Sequence, residues 1–178
     1  MPSPSLNLNK DDEWYTPKYI VEYFGKFDYD PATTDAKAKE FGITNYDTIQ
    51  TDGLKSDWCK YNRIWINPPF THKREFLVKA WDTFSQTHNE IYVLLPIAFL
   101  TTKSFYSVIK GGVLHLPNGR FSFEKASGTP ATSPALGTFV LKLDDKWSVQ
   151  LLNLESIKPR KGEEKCKQKS TSQMRLWN

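Results

Sequence analysis

Five consecutive apolar residues, Ile91-Tyr92-Val93-Leu94-Leu95, end at Pro96. A segment of that length with no polar alternation is short for a helix and has no face to offer water. It fits a strand covered on both sides, in a sheet that carries helices above and below. Sheets of that kind are mostly parallel and built from alternating strands and helices, so the remaining sequence should switch between two periodicities.

It does. Thr16-Pro17 reads as a helix start, with Thr16 as cap and Pro17 at the first helical position; Tyr19, Ile20, Tyr23 and Phe24 follow at helical spacing before Gly25. Phe27 to Ala32 is a short strand that stops at Asp30-Pro31, which puts Asp30 at its carboxyl end. Arg63-Ile64-Trp65-Ile66 is a second strand, ended by Asn67-Pro68-Pro69. From Lys73 to about Gln86, Phe76, Leu77, Ala80, Trp81 and Phe84 form an amphipathic stripe. A helix is expected from Phe99 to Ile109, and a strand at Val113-Leu114-His115-Leu116 after the Gly111-Gly112 break. Gly137 to Leu143 and Trp147 to Leu152, separated by Asp144-Asp145-Lys146, read as a hairpin. The expected fold is α/β, a mostly parallel sheet with an antiparallel hairpin at its edge.

The chain has 178 residues, enough for one core of ordinary size, placed at residues 13 to 157. Residues 1 to 12 are polar, lack periodicity and read as a disordered arm. The net charge of +4 is concentrated at the other end, since residues 158 to 178 hold seven Lys or Arg against two Glu. That tail either follows a polyanion or is simply solvated and flexible. No apolar run has the length of a membrane span and no signal segment is visible, so a cytoplasmic protein without membrane contact is expected. Cys59 and Cys166 read as reduced thiols, and His72, His88 and His115 have no metal-ligand spacing, so no metal is expected.

Chemistry concentrates at Asn67-Pro68-Pro69-Phe70. Ligands of open α/β sheets bind beyond the carboxyl ends of the strands, where both Asn67 and Asp30 fall. The two prolines fix the backbone and remove two N–H donors, which leaves a rigid loop rich in acceptors. Such a loop suits an exocyclic amine such as that of adenine, whose lone pair is delocalised into the ring. If the Asn67 side-chain oxygen and the Pro68 carbonyl each take one N–H, the nitrogen becomes more pyramidal and its lone pair is freed. Phe70 offers an aromatic wall for a base flipped out of a duplex. Taken alone, the same four letters also describe an ordinary strand-ending turn.

The wider sequence resembles the phage-type Dam family of DNA N-6-adenine methyltransferases over most of residues 13 to 143. Glu13-Trp14-Tyr15-Thr16-Pro17 is similar to its N-terminal Thr-Pro motif, Asp30-Pro31-Ala32 to its acidic cofactor loop, and Asp52-Gly53-Leu54 with Trp58 to the segment before the catalytic strand. Trp65-Ile66-Asn67-Pro68-Pro69-Phe70, Leu94-Leu95-Pro96 and the Gly119-Arg120-Phe121-Ser122-Phe123 element follow in the family's order.

The resemblance implies a Rossmann-like methyltransferase core, S-adenosylmethionine as methyl donor and DNA as partner, in a bacterial host and encoded by a phage or prophage. It implies catalytic roles for Asn67, Pro68, Pro69 and Phe70, and donor binding by Tyr15, Thr16, Pro17, Asp30, Pro31, Ala32, Asp52 and Trp58. Asp30 would meet the donor's ammonium, though Asp before Pro is also a turn former. Asp52 would meet the ribose or adenine, though Asp-Gly is equally an ordinary turn. No G-x-G loop follows the first strand, and Phe70 replaces the commoner Tyr. Lys73, Arg74 and Arg120 are candidate nucleic-acid contacts, with solvated surface charges as the alternative reading. Two rival functions stay open: methylation of glutamine amides in proteins on the same fold, and a nucleic-acid binder without catalysis. Target sequence and oligomeric state are not legible.

Overall fold

The structure is a computed structural model that describes residues 14–124 and 137–159. The arm at residues 1 to 12, Glu13, Cys166 and the tail beyond Pro159 lie outside the described residues.

In chain order the elements are α1 (Lys18–Tyr23), β1 (Tyr29–Asp30), α2 (Asp35–Phe41), β2 (Asn45–Tyr46), β3 (Arg63–Ile66), α3 (Lys73–Thr87), β4 (Glu90–Pro96), α4 (Ile97–Leu100), α5 (Lys103–Val108), β5 (Gly112–Pro117), β6 (Thr138–Leu143), β7 (Ser148–Leu152) and α6 (Leu154–Ile157). The strands form one sheet in the order β2-β1-β3-β4-β6-β5-β7. All neighbours run parallel except β6, which is antiparallel to both β4 and β5. The expected α/β class and mostly parallel sheet are therefore present.

Alternation along the strands builds two cores. Ile64, Ile66, Ile91, Val93, Leu95, Phe139 and Leu141 pack with Phe76, Leu77 and Ala80 of α3. Trp65, Tyr92, Leu94 and Val140 point to the opposite face and meet Ile20 and Val21 of α1 and Phe24 at its end. In β4, every residue from Ile91 to Pro96 is buried, which is why its sequence shows no polar alternation.

Three local expectations need correction. Thr16 does not cap α1: Pro17 stands at the cap with extended backbone (ψ 140°) and no side-chain cap bond forms. The segment before it is held extended by a bridge between Tyr15 and Glu124, so the helix starts one residue late. The single helix expected over Phe99 to Ile109 is two short ones, because the Thr102 hydroxyl accepts the Phe105 N–H at 3.1 Å and starts a new helix. The late strands exist but do not pair as a hairpin, because β5 lies between β6 and β7. Gly111 makes this passage possible: a Cβ there would lie 2.4 Å from the Asp144 carbonyl oxygen, in the very turn read as the hairpin loop.

Candidate active site

Strand β1 has β2 on one side and β3 on the other, so the chain reverses its direction of progress across the sheet at this point. Crevices open beyond the carboxyl ends of strands at such reversals. A cleft of about 400 Å3 lies here, walled by the loop after β1, the segment after β2, the loop after β3 and the N-terminal segment at Trp14 and Tyr15, with Phe76 of α3. Asn67, Pro68, Pro69 and Phe70 all line it.

The Asn67 amide is oriented by a specific bond. Its Nδ2 donates to the Trp14 carbonyl at 2.7 Å. A carbonyl can only accept, so the nitrogen is committed there and the other arm of the amide is the acceptor oxygen. Past Asn67 the loop is tied to the start of α3: His72 N–H donates to the Pro69 carbonyl at 2.9 Å, and Lys73 Nζ to the Phe70 carbonyl at 2.6 Å. Lys73 also lies 5.3 Å from the centre of the Phe99 ring, so its ammonium braces the loop. Arg74 and Arg120 are exposed and do not line the cleft.

The residues assigned to the donor divide into those on the cleft and those behind it. Tyr15, Pro31 and Ala32 line it; Thr16 and Asp30 instead line a narrow space behind Asn67, which also reaches Trp65. Asp30 is 2% exposed and accepts the Ala32 N–H at 3.0 Å. Burial pushes its carboxyl up to about 7, against the opposing hydrogen bonds from Ala32 and Thr33. The Thr16 hydroxyl is buried in the same region and has no hydrogen-bond partner. Pro17 is buried beside it.

Trp58 is a brace. It is 1% exposed, its indole N–H donates to the Gly53 carbonyl at 2.8 Å, and it packs against Phe76. Gly53 in turn presses so closely on the loop after β1 that a Cβ would lie 2.0 Å from the Pro31 carbonyl oxygen. Asp52 adopts φ 57° and spends its carboxylate locally, on the Leu54 N–H at 3.2 Å and on Lys55 at 2.9 Å. The Asp52-Gly53 turn thus holds two walls of the cleft together, and Gly53 reaches its surface.

Sequence reasoning missed Thr48, Ile49 and Gln50, which line the cleft after β2, and Ile49 is 44% exposed there. The strand that delivers them is only two residues long, too short to show a period. It also missed Asp47, a buried acid that receives the Tyr29 hydroxyl. Burial pulls the Asp47 carboxyl up, but hydrogen bonds from Ser56, Tyr29 and Thr51 outweigh it and leave the group below its ordinary value.

The pattern of the DNA N-6-adenine-methyltransferase (Dam) family matches residues 4–169. The chain belongs to that family. The DNA N-6-adenine-methyltransferase of Escherichia phage T1 is 30% identical over 89 residues, a stretch that covers 48% of this Dam-family chain and 36% of the phage protein. The match therefore spans little more than a third of that relative. Among solved structures, a class I S-adenosylmethionine-dependent methyltransferase described as putative, from Listeria monocytogenes, aligns with TM-score 0.41 and 14% identity over 90% of this chain and 72% of that one. Among the described residues no group of His, Cys, Asp or Glu is arranged to hold a metal ion. None of the described helices is long and apolar enough to cross a membrane.

Proposed function

We propose that this chain transfers a methyl group from S-adenosylmethionine to the exocyclic nitrogen of adenine in DNA, and that residues 13 to 157 carry the activity as one domain. The observation that carries the reading is the Asn67 amide, held by its nitrogen on Trp14 at the end of β3 with Pro68-Pro69-Phe70 continuing along the cleft wall.

The cleft fits a donor of this kind. Its volume lies within the usual range for small-molecule sites, and polar Thr33, Thr34 and Gln50 stand among apolar Pro31, Ala32 and Ile49. The buried, unpartnered Thr16 hydroxyl and the Asp30 carboxyl beside it leave polar capacity for a cationic head group. Tyr15, Pro31, Ala32 and the segment after β2 would hold the donor. S-adenosylmethionine, when bound, supplies an electrophilic methyl on a sulfonium.

Asn67 Oδ1 and the Pro68 carbonyl would each accept one amine hydrogen, which draws the nitrogen out of plane and exposes its lone pair. Pro68 and Pro69 contribute stiffness, because neither can donate and both have fixed φ. Phe70 would stack on the base and exclude water from one side. Exposed Arg74 and Arg120 are available to phosphates, while Lys73 supports the loop.

Incubation with methyl-labelled donor and either duplex DNA or a protein extract tests the proposal. Label recovered as methylated adenine supports it. Label in glutamine, or in neither substrate, overturns it.

A further inference from the structure

The Trp14 carbonyl that orients Asn67 belongs to a segment with little regular structure of its own. Trp14 and Tyr15 precede α1, and the bridge to Glu124 consists of two bonds, Tyr15 N–H to the Glu124 carbonyl at 3.0 Å and Glu124 N–H to the Tyr15 carbonyl at 2.9 Å. Two backbone bonds outside any ladder hold a chain weakly. A further constraint on Glu124 would help to keep Trp14 in register with Asn67.

The side chains supply it. Glu124 Oε2 lies 2.6 Å from Lys37 Nζ, and Lys37, which is 6% exposed, also pairs with Glu40 at 2.7 Å on its own helix. The Lys37 ammonium lies 5.9 Å from the centre of the Tyr15 ring and 5.7 Å from that of Phe41. Next to Glu124, buried Phe123 meets the Trp14 ring edge-on at 6.5 Å. The N-terminal segment is therefore held by the stretch that follows β5 through both backbone and ring contacts, and that stretch is anchored to α2 by one buried cation.

We propose that the Lys37–Glu124 ion pair is a positioning device for the proposed reaction: it fixes the Tyr15–Glu124 bridge, and through it the Trp14 carbonyl that sets the orientation of Asn67. Lys37 and Glu124 touch no reacting atom in this scheme. The inference rests on the catalytic reading of Asn67, and it adds two residues from distant parts of the chain that the tetrapeptide does not reveal.

A double-mutant cycle with Asn67→Ala tests it. Glu124→Gln keeps the side-chain shape and the backbone bridge but removes the charge. In the native background it should lower kcat by about tenfold, the scale of a small misplacement of an acceptor, with a smaller rise in the dissociation constant for the donor because Tyr15 also lines the cleft. Lys37→Met should do the same. In the Asn67→Ala background either substitution should leave the residual kcat within about twofold, because the group being positioned has gone. Nitrogen-15 spectra give a second readout: the Asn67 side-chain amide hydrogens should exchange faster in Glu124→Gln than in the native protein. Equal losses in both backgrounds would mean a general structural role and overturn the proposal, as would full kcat in Glu124→Gln. Full kcat in Asn67→Ala itself would instead remove the catalytic reading on which the inference stands.

Discussion

Asn67 carries a sharp expectation because the proposed reaction gives its two amide arms separate tasks: the nitrogen donates to the Trp14 carbonyl, and the oxygen would accept from the substrate amine. Asn67→Ala should lower methyl transfer at least ~100-fold and leave donor binding nearly unchanged, since the lost acceptor acts in the transition state. Single-turnover kinetics beside calorimetric binding would show it, and unimpaired turnover would refute the role. Two other buried groups set a pH dependence. Burial raises the Asp30 carboxyl to about 7, so the folded state holds a proton that the unfolded chain has released, and stability from this group declines as pH rises toward 7. Burial, with Lys142 nearby, lowers His115 to about 4, so stability from that group declines as pH falls from 6.5 toward 4. The two trends oppose each other in almost the same window. Asp30→Asn should expose the histidine limb, giving a melting temperature that falls on acidification below pH 6.5; an unchanged profile would contradict the assignment. The Asn67 loop was legible because prolines and a strand end leave few conformations. The duties of Trp58 and Asp52 were not, because an indole or carboxylate that braces a wall has the same letter as one that lines it.

Elements with an apolar pattern ended by a clear breaker could be read from the sequence, β1 at Asp30-Pro31 included, and β2, which has neither, could not. Strand β3 and helix α3 lie where the apolar pattern placed them, since four or more residues in one register leave a recognisable trace. Strand β2 has two residues, and its place in the sheet comes from parallel pairing with β1. The hairpin expectation failed for a different reason. Two strands joined by a short polar turn read as partners, but nothing in their own residues reveals that β5 enters between them; the signal lay upstream, in Gly111. Gly53 performs a comparable task at the cleft, where the Asp52-Gly53 turn meets the loop after β1. Gly53→Ala should cost about 1–3 kcal/mol of stability, the usual range for overpacking against backbone, and should weaken donor binding because two walls are forced apart. Thermal melts with calorimetry would check both, and native affinity would argue against the contact.

For the molecule as a whole, the formal net charge of +4 is too small to define a surface for DNA, and part of it falls beyond the described residues. If phosphate contacts supply affinity, the DNA dissociation constant should climb steeply between low and moderate salt, with a log–log slope that counts those contacts. Arg120→Ala should reduce that slope by about one, and a flat dependence would point to another substrate. The class of fold followed from composition and pattern, but the order of strands did not, because β6 pairs with β4 and β5 across long stretches of chain. That placement governs how the protein is made. β6 leaves the ribosome after both of the strands it separates, so a nascent polypeptide that stops before residue 137 has β4 and β5 each with a row of unmatched amides and carbonyls. A chain truncated there should aggregate or be retained by chaperones instead of surviving as a smaller soluble unit, and pulse-labelling with ribosome-stalled lengths on either side of 143 should show protease resistance only in the longer one.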